Sequence, residues 1–237
     1  MKTILVSAYP KSGSTWLTSL LGDVLNCPTG GSCQSGDKTE IATKDRPNKD
    51  FIVRKGHYKL IMDFTDKAIP MPHFLNWQFL DDNYKVIFLV RDPRDVCVSG
   101  AYHWRCSVPE FLRRMIVGSV VHLDRWDEHI FQWLDLIKDP ICNDLFCLVR
   151  YEDLHKDTAG TVNGILRFLQ ATEYKGRIDD AIHQNSFEVK ARQVTDKRRH
   201  NMRKGIVGDW RNQFDTEMNN LIYSEFGWIM EKLNYEK

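Results

Sequence analysis

Ile4-Leu5-Val6-Ser7-Ala8-Tyr9-Pro10-Lys11-Ser12-Gly13-Ser14-Thr15-Trp16 carries an apolar run through a tight turn with one glycine and straight into a helical repeat. Ile4-Leu5-Val6 reads as a buried strand. Leu17, Leu20, Leu21, Val24 and Leu25 then recur at i, i+3, i+4, i+7 and i+8, the stripe of a helix with one face in a core. A strand, a turn and a helix start make an anion site, because the first N–H groups of the helix lack intrahelical acceptors and its dipole is positive at that end. Lys11 adds a full charge there, and Ser12, Ser14 and Thr15 add hydroxyl donors.

Working outward, Phe51-Ile52-Val53, Val86-Ile87-Phe88-Leu89-Val90 and Leu145-Phe146-Cys147-Leu148-Val149 read as three more buried strands. Continuous apolar strands separated by helical patterns predict an α/β fold with a central parallel sheet flanked by helices on both faces. Residues 110–138 and 158–183 read as mostly helical, and 215–234 as a helix with Met218, Leu221, Ile222, Phe226, Ile229, Met230 and Leu233 on one side. Residues 26–50, rich in Gly, Pro and polar side chains, read as a flexible surface loop. Lys190–Lys204 is basic and too poor in apolar residues to pack alone. No repeat or linker divides the chain, so residues 1–237 are expected to form a single domain.

The 33 Lys+Arg and 32 Asp+Glu residues leave a formal net charge of +1. That balance offers no field for nucleic acid or an anionic membrane, so an anionic ligand needs a local cluster of cations. The six cysteines contain no C-x-x-C pair and no zinc spacing, and read as free thiols of a reducing compartment. The N-terminus lacks an apolar core of signal-peptide length, and no run approaches the ~18 apolar residues of a membrane span. A cytoplasmic chain is expected, and nothing in the sequence fixes an oligomeric state.

Three further segments carry chemistry. Arg91-Asp92-Pro93-Arg94-Asp95 follows the third apolar strand, with Asp92 suited to cap a helix begun by Pro93 and Ser99 on that helix. Arg203-Lys204-Gly205-Ile206-Val207-Gly208-Asp209-Trp210-Arg211-Asn212-Gln213-Phe214 places two cations before a glycine, which suits a loop folded over a phosphate. Arg54-Lys55-Gly56-His57 sets a histidine after the second apolar strand, where a base for neutral pH would stand.

In chain order, from Tyr9 to Phe214, these segments resemble the cytosolic PAPS-dependent sulfotransferases, whose donor is 3′-phosphoadenosine-5′-phosphosulfate. The resemblance implies a P-loop-like phosphosulfate-binding loop, with Lys11 on the sulfate-bridging oxygen and Ser12, Gly13, Ser14, Thr15 and Trp16 around the 5′-phosphate. It assigns Arg91, Ser99, Arg203, Lys204 and Gly205 to the 3′-phosphate. Tyr151-Glu152-Asp153 and Ser186-Phe187 are similar to two elements around the adenine, so Trp16, Tyr151 and Phe187 are placed to enclose the purine. Lys55 and His57 match the family's Lys-Thr-His segment, in which the histidine removes the acceptor proton and the lysine stabilises the transition state. Gly56 replaces the usual Thr, and Tyr58-Lys59-Leu60 lacks the common Leu-Pro.

The reaction implied is in-line transfer of a sulfuryl group from PAPS to a hydroxyl or amine of a small-molecule acceptor, releasing PAP. No metal is expected, since lysines stand where a divalent ion would otherwise neutralise charge. An acceptor pocket is expected from residues 26–50, 58–80 and 103–125, with Tyr102, His103, Trp104, Phe111, Met115 and His122 near it. Trp126, His129 and Trp133 read equally as helix core or as substrate contacts. A P-loop kinase would need Gly-Lys-Ser/Thr, whereas here the lysine precedes the glycine. A non-catalytic nucleotide-binding relative would be expected to lack Lys11 or His57, and both are present.

Overall fold

The computed structural model describes residues 1–30, 46–57, 59–60, 74–75, 80, 82–121, 123–140, 144–193 and 204–236. All four expected strands form: β1 (Lys2–Ala8), β3 (Phe51–Gly56), β6 (Tyr84–Val90) and β7 (Phe146–Arg150). With the short β2 (Thr29–Gly30) they make a five-stranded parallel sheet among the described residues, in the order β2-β3-β1-β6-β7. β4 (Lys59–Leu60) and β5 (Phe74–Leu75) pair separately.

Alternation along the strands sends their apolar residues into two cores. Ile4, Val6, Ala8, Val53, Ile87, Leu89 and Val149 pack under α1 (Ser14–Leu25), α6 (Thr158–Phe168) and α7 (Ile178–Gln184). Leu5, Val86, Phe88, Val90 and Phe146 face α2 (Pro93–Trp104), α3 (Val108–Ile116), α4 (Trp126–Lys138) and α9 (Thr216–Lys232). α1 buries Leu17, Leu20, Leu21, Val24 and Leu25 completely, each contributing about 1.5–3 kcal/mol of transfer free energy. Leu21→Ala would cost about 2–5 kcal/mol, because a parallel sheet under a packed helix cannot collapse around the void.

The strand ends are level. Ser7 lies opposite Gly56 and Phe88, and Val90 lies opposite Arg150. The segments that leave β1, β3, β6 and β7 therefore emerge along one edge. β1 and β6 adjoin there with connections running to opposite sides, the switch point at which open α/β sheets bind ligands.

The helical segments follow expectation in the main, and two details differ. The mostly helical stretch 110–138 forms as α3 and α4, with a break between them that includes Gly118, where φ is +67° and an added Cβ would lie 3.0 Å from the Arg125 backbone nitrogen. Within 158–183 a 3₁₀ turn, Thr172–Arg177, separates α6 from α7. On α9, Leu221 points to solvent at 40% exposure, one position off the stripe of Ile222, Phe226, Ile229 and Met230. The described ends of the 26–50 segment are held rather than loose: β2 pairs with β3, Asn48 donates from Nδ2 to the Leu25 carbonyl at 2.7 Å, and Arg46 pairs with Asp23. Residues 31–45 lie outside the described residues. Lys190–Gln193 belong to α8 (Phe187–Gln193), and 194–203 lie outside the described residues.

Among the described residues no helix is long and apolar enough to cross a membrane. Cys27, Cys97, Cys106 and Cys147 are free thiols. Burial pushes Cys27 and Cys147 up to about 11 and Cys97 higher still, so these three resist becoming nucleophilic thiolates.

Candidate active site

β1 ends at Ala8 because Pro10 has no N–H to continue the ladder, and the turn closes with Ser12 donating to the Tyr9 carbonyl at 3.3 Å. Gly13 is the N-cap of α1 at φ +97°, with no side chain capping the helix. Tyr151, the first residue of α5 (Tyr151–Lys156), lies against it: a Cβ on Gly13 would sit 2.6 Å from Cδ2 of Tyr151. Glycine is required here by both backbone and neighbour. Among the described residues the buried Ser12 Oγ has no hydrogen-bond partner, so a hydroxyl beside the start of α1 is left for a ligand.

Three cations surround this start. Lys11 is brought down to about 8 by burial first and then by Lys55 and Arg91. Lys55 is lowered too, by burial. Its Nζ donates to Thr15 Oγ1 at 2.9 Å, tying the end of β3 to the first turn of α1. Such crowding suits a ligand with several negative charges, which would relieve it.

His57 Nδ1 lies 2.7 Å from the Ala8 carbonyl oxygen. A carbonyl only accepts, so Nδ1 carries a proton, and in the neutral ring the lone pair is on Nε2. Gly56, in place of the family threonine, is the last residue of β3.

Arg91 joins three of the expected segments. Its guanidinium lies 4.2 Å from the Tyr151 ring centre and donates to the carbonyls of Lys11 at 3.3 Å and Ile206 at 3.1 Å. Asp92 caps α2 as expected, accepting from the Arg94 N–H at 2.9 Å. Ser99 stands partly exposed on α2. Arg203 lies outside the described residues. Lys204 Nζ bonds Asp209 at 3.0 Å, and Gly205 takes φ +67°.

Trp16 and Tyr151 meet edge to face at 5.7 Å. Phe187, 40% exposed, lies against Gly205, where an added Cβ would sit 2.9 Å from its ring. Trp16 and Tyr151 are thus brought together, and Phe187 lies beside the glycine loop. Sequence reasoning missed His155, which donates from Nε2 to the Gly205 carbonyl at 2.9 Å and packs near Trp16 and Tyr151. Its spacing of four from Tyr151, on one helix face, was the available signal. It also missed what Asp95 and Glu152 do. Asp95 accepts from the Gly208 and Trp210 N–H groups, and Glu152 from the Asp92 N–H and the Tyr235 hydroxyl.

Phe111 and Met115, expected near an acceptor pocket, are core residues; Phe111 stacks with Trp104 and sits where Gly100 leaves room. His122 and most of 58–80 lie outside the described residues. Trp126, His129 and Trp133 are fully buried, with Trp133 stacked on Phe88 at 4.7 Å.

Comparison with known proteins agrees with this geometry. The family model described as "Sulfotransferase domain" matches residues 1–234. Sulfotransferase 2A1 of Rattus norvegicus is 31% identical over 235 residues, covering 89% of this chain and 78% of the relative. Sulfotransferase 1E1 of Homo sapiens is 29% identical over 251 residues, covering 91% and 79%. Among solved structures, mouse sulfotransferase SULT7A1 complexed with PAP superposes with a TM-score of 0.72 at 22% identity, covering 97% of this chain and 84% of that one. Retinol dehydratase in complex with androsterone and inactive cofactor PAP gives 0.68 at 18% identity, covering 99% and 82%. These two similarities establish the parallel α/β fold. The family match along nearly the whole chain, together with the rat relative, identifies this chain as a member of the sulfotransferase family.

Proposed function

We propose that this sulfotransferase uses PAPS as donor and a hydroxyl or amine of a small molecule as acceptor, and works as a single domain across residues 1–237 in the cytoplasm. The observation that carries the donor assignment is the crowding of Lys11, Lys55 and Arg91 around the uncapped start of α1. PAP bound in the two structural neighbours, and androsterone bound in one, support the donor and acceptor classes. Free thiols at Cys27, Cys97, Cys106 and Cys147 suit a reducing compartment.

The family resemblance supplies each residue's role. The N–H groups opening α1, with Ser12, Gly13, Ser14, Thr15 and Trp16, hold the 5′-phosphate. Arg91, Ser99, Arg203, Lys204 and Gly205 take the 3′-phosphate, and Trp16, Tyr151 and Phe187 enclose the adenine. His57 Nε2 removes the proton of the acceptor hydroxyl, whose oxygen bonds to sulfur as the S–O bond to the 5′-phosphate breaks in line. The electron pair of that bond leaves on the phosphate of PAP, where Lys11 and Lys55 offset the charge.

The test is incubation with PAPS carrying labelled sulfur and a panel of phenols, alcohols and amines. Labelled acceptor and PAP should form in equal amounts. Absence of transfer to every acceptor, with phosphoryl transfer from ATP instead, would return the chain to a kinase-like reading.

A further inference from the structure

The segment that carries Lys204 and Gly205 is not held in place by burial. Ile206 and Val207 are 42% and 40% exposed, so the hydrophobic effect does little to locate it. Polar bonds from the sheet edge do so instead. His155 takes the Gly205 carbonyl and Arg91 the Ile206 carbonyl, at 2.9 and 3.1 Å. Beyond them the chain turns at Gly208, at φ +80°, into a 3₁₀ turn that no side chain caps from within.

Asp95 anchors that turn from outside. It is fully buried in the first turn of α2, and its two oxygens divide the work: Oδ2 accepts from the Gly208 N–H at 2.7 Å and Oδ1 from the Trp210 N–H at 3.1 Å. Arg91 lies 3.6 Å from the same Oδ2. The neighbouring Arg94 covers the Trp210 ring at 3.7 Å and is itself clamped by Asp92 and the Glu236 carbonyl. One carboxylate thereby links Arg91 to the strap that bears Lys204 and Gly205.

We propose that Asp95 is a positioning residue for 3′-phosphate recognition, fixing residues 204–210 against α2 so that Lys204, Gly205 and Arg91 converge on one phosphate. This rests on the assignment of those three residues to the 3′-phosphate. An amide at position 95 can accept from only one of the two N–H groups and presents its own N–H to the other. Asp95→Asn therefore releases one anchor with little change of volume.

The experiment measures the affinities of PAP and AMP, which differ only by the 3′-phosphate, for the wild-type protein and Asp95→Asn by calorimetry. The wild type should prefer PAP. Asp95→Asn should weaken PAP about tenfold or more while AMP stays within about twofold, in line with the loss of a charge-assisted bond. The KM for PAPS should rise with kcat at saturation nearly unchanged, a split that general loosening of the fold would not produce. If the wild type binds PAP and AMP equally, the 3′-phosphate assignment itself fails. If the wild type discriminates and Asp95→Asn discriminates as well, or weakens both ligands alike, the positioning role is overturned. Should Asp95→Asn not fold, Gly208→Ala decides by the same ratio, since it strains the strap at its own backbone and leaves the buried carboxylate intact.

Discussion

His57 donates from Nδ1 to the carbonyl oxygen of Ala8 at 2.7 Å, so the last residue of β1 aims the ring that follows β3. The bond selects the tautomer whose Nε2 carries a lone pair, as a general base requires. His57→Ala should lower kcat roughly 10²–10⁴-fold while PAP affinity, read by calorimetry, stays at the wild-type level. Wild-type turnover in the variant would remove His57 from the mechanism.

Lys11, assigned above to the donor, should set a pH limit on donor binding. Its value in the folded protein, about 8, lies below the ordinary 10.5. An anionic ligand favours the ammonium form, so above about pH 8 binding must take up a proton and PAP affinity should fall by up to about tenfold per pH unit. Lys11→Arg, which stays charged, should flatten that limb. The same depression means the unfolded chain binds more protons between about 8 and 10.5, so the ligand-free protein should gain stability as pH rises through that window. Calorimetry with PAP and urea titrations across the range check both signs, and a PAP affinity constant from pH 7 to 10 would refute the first.

Gly13→Ala should disturb both the turn before α1 and Tyr151, which the proposed nucleotide site uses. The new Cβ would stand 2.6 and 2.7 Å from two ring atoms of Tyr151, at a φ of +97° that side chains rarely adopt. We expect a loss of about 1–3 kcal/mol in unfolding free energy, with weaker PAP binding, measured by urea denaturation and calorimetry. Unchanged stability and affinity would show that the turn tolerates a side chain.

Turnover should persist in excess EDTA with metal-free PAPS. Carboxylates of the expected motifs already have partners: Asp92 holds Arg94, Glu152 accepts from the Asp92 N–H and Tyr235, and Asp209 accepts from Lys204 and Asn212. In the proposed mechanism Lys11 and Lys55 supply charge at the transferred group without fixed coordination geometry. Loss of activity on chelation, restored by Mg²⁺ alone, would contradict this.

The amino-acid sequence by itself determined the four long strands, α1 with its phosphate turn, the Asp92 cap and the parallel α/β class. Each depends on periodicity, or on turn and cap chemistry within a few residues, and such signals survive in one dimension. Periodicity also overreached: it put Leu221 on the stripe of α9, because a stripe gives no account of where a neighbouring helix ends. Only the tertiary structure decided what the polar residues do. Asp95 meets Gly208 across 113 residues, Arg91 meets Ile206 across 115, and His57 meets Ala8 across 49. The physical reason is that these bonds join backbone atoms common to every residue to side chains at the sheet edge. Their partners come together through the strand order β2-β3-β1-β6-β7, so residue type alone carries no mark of the pairing.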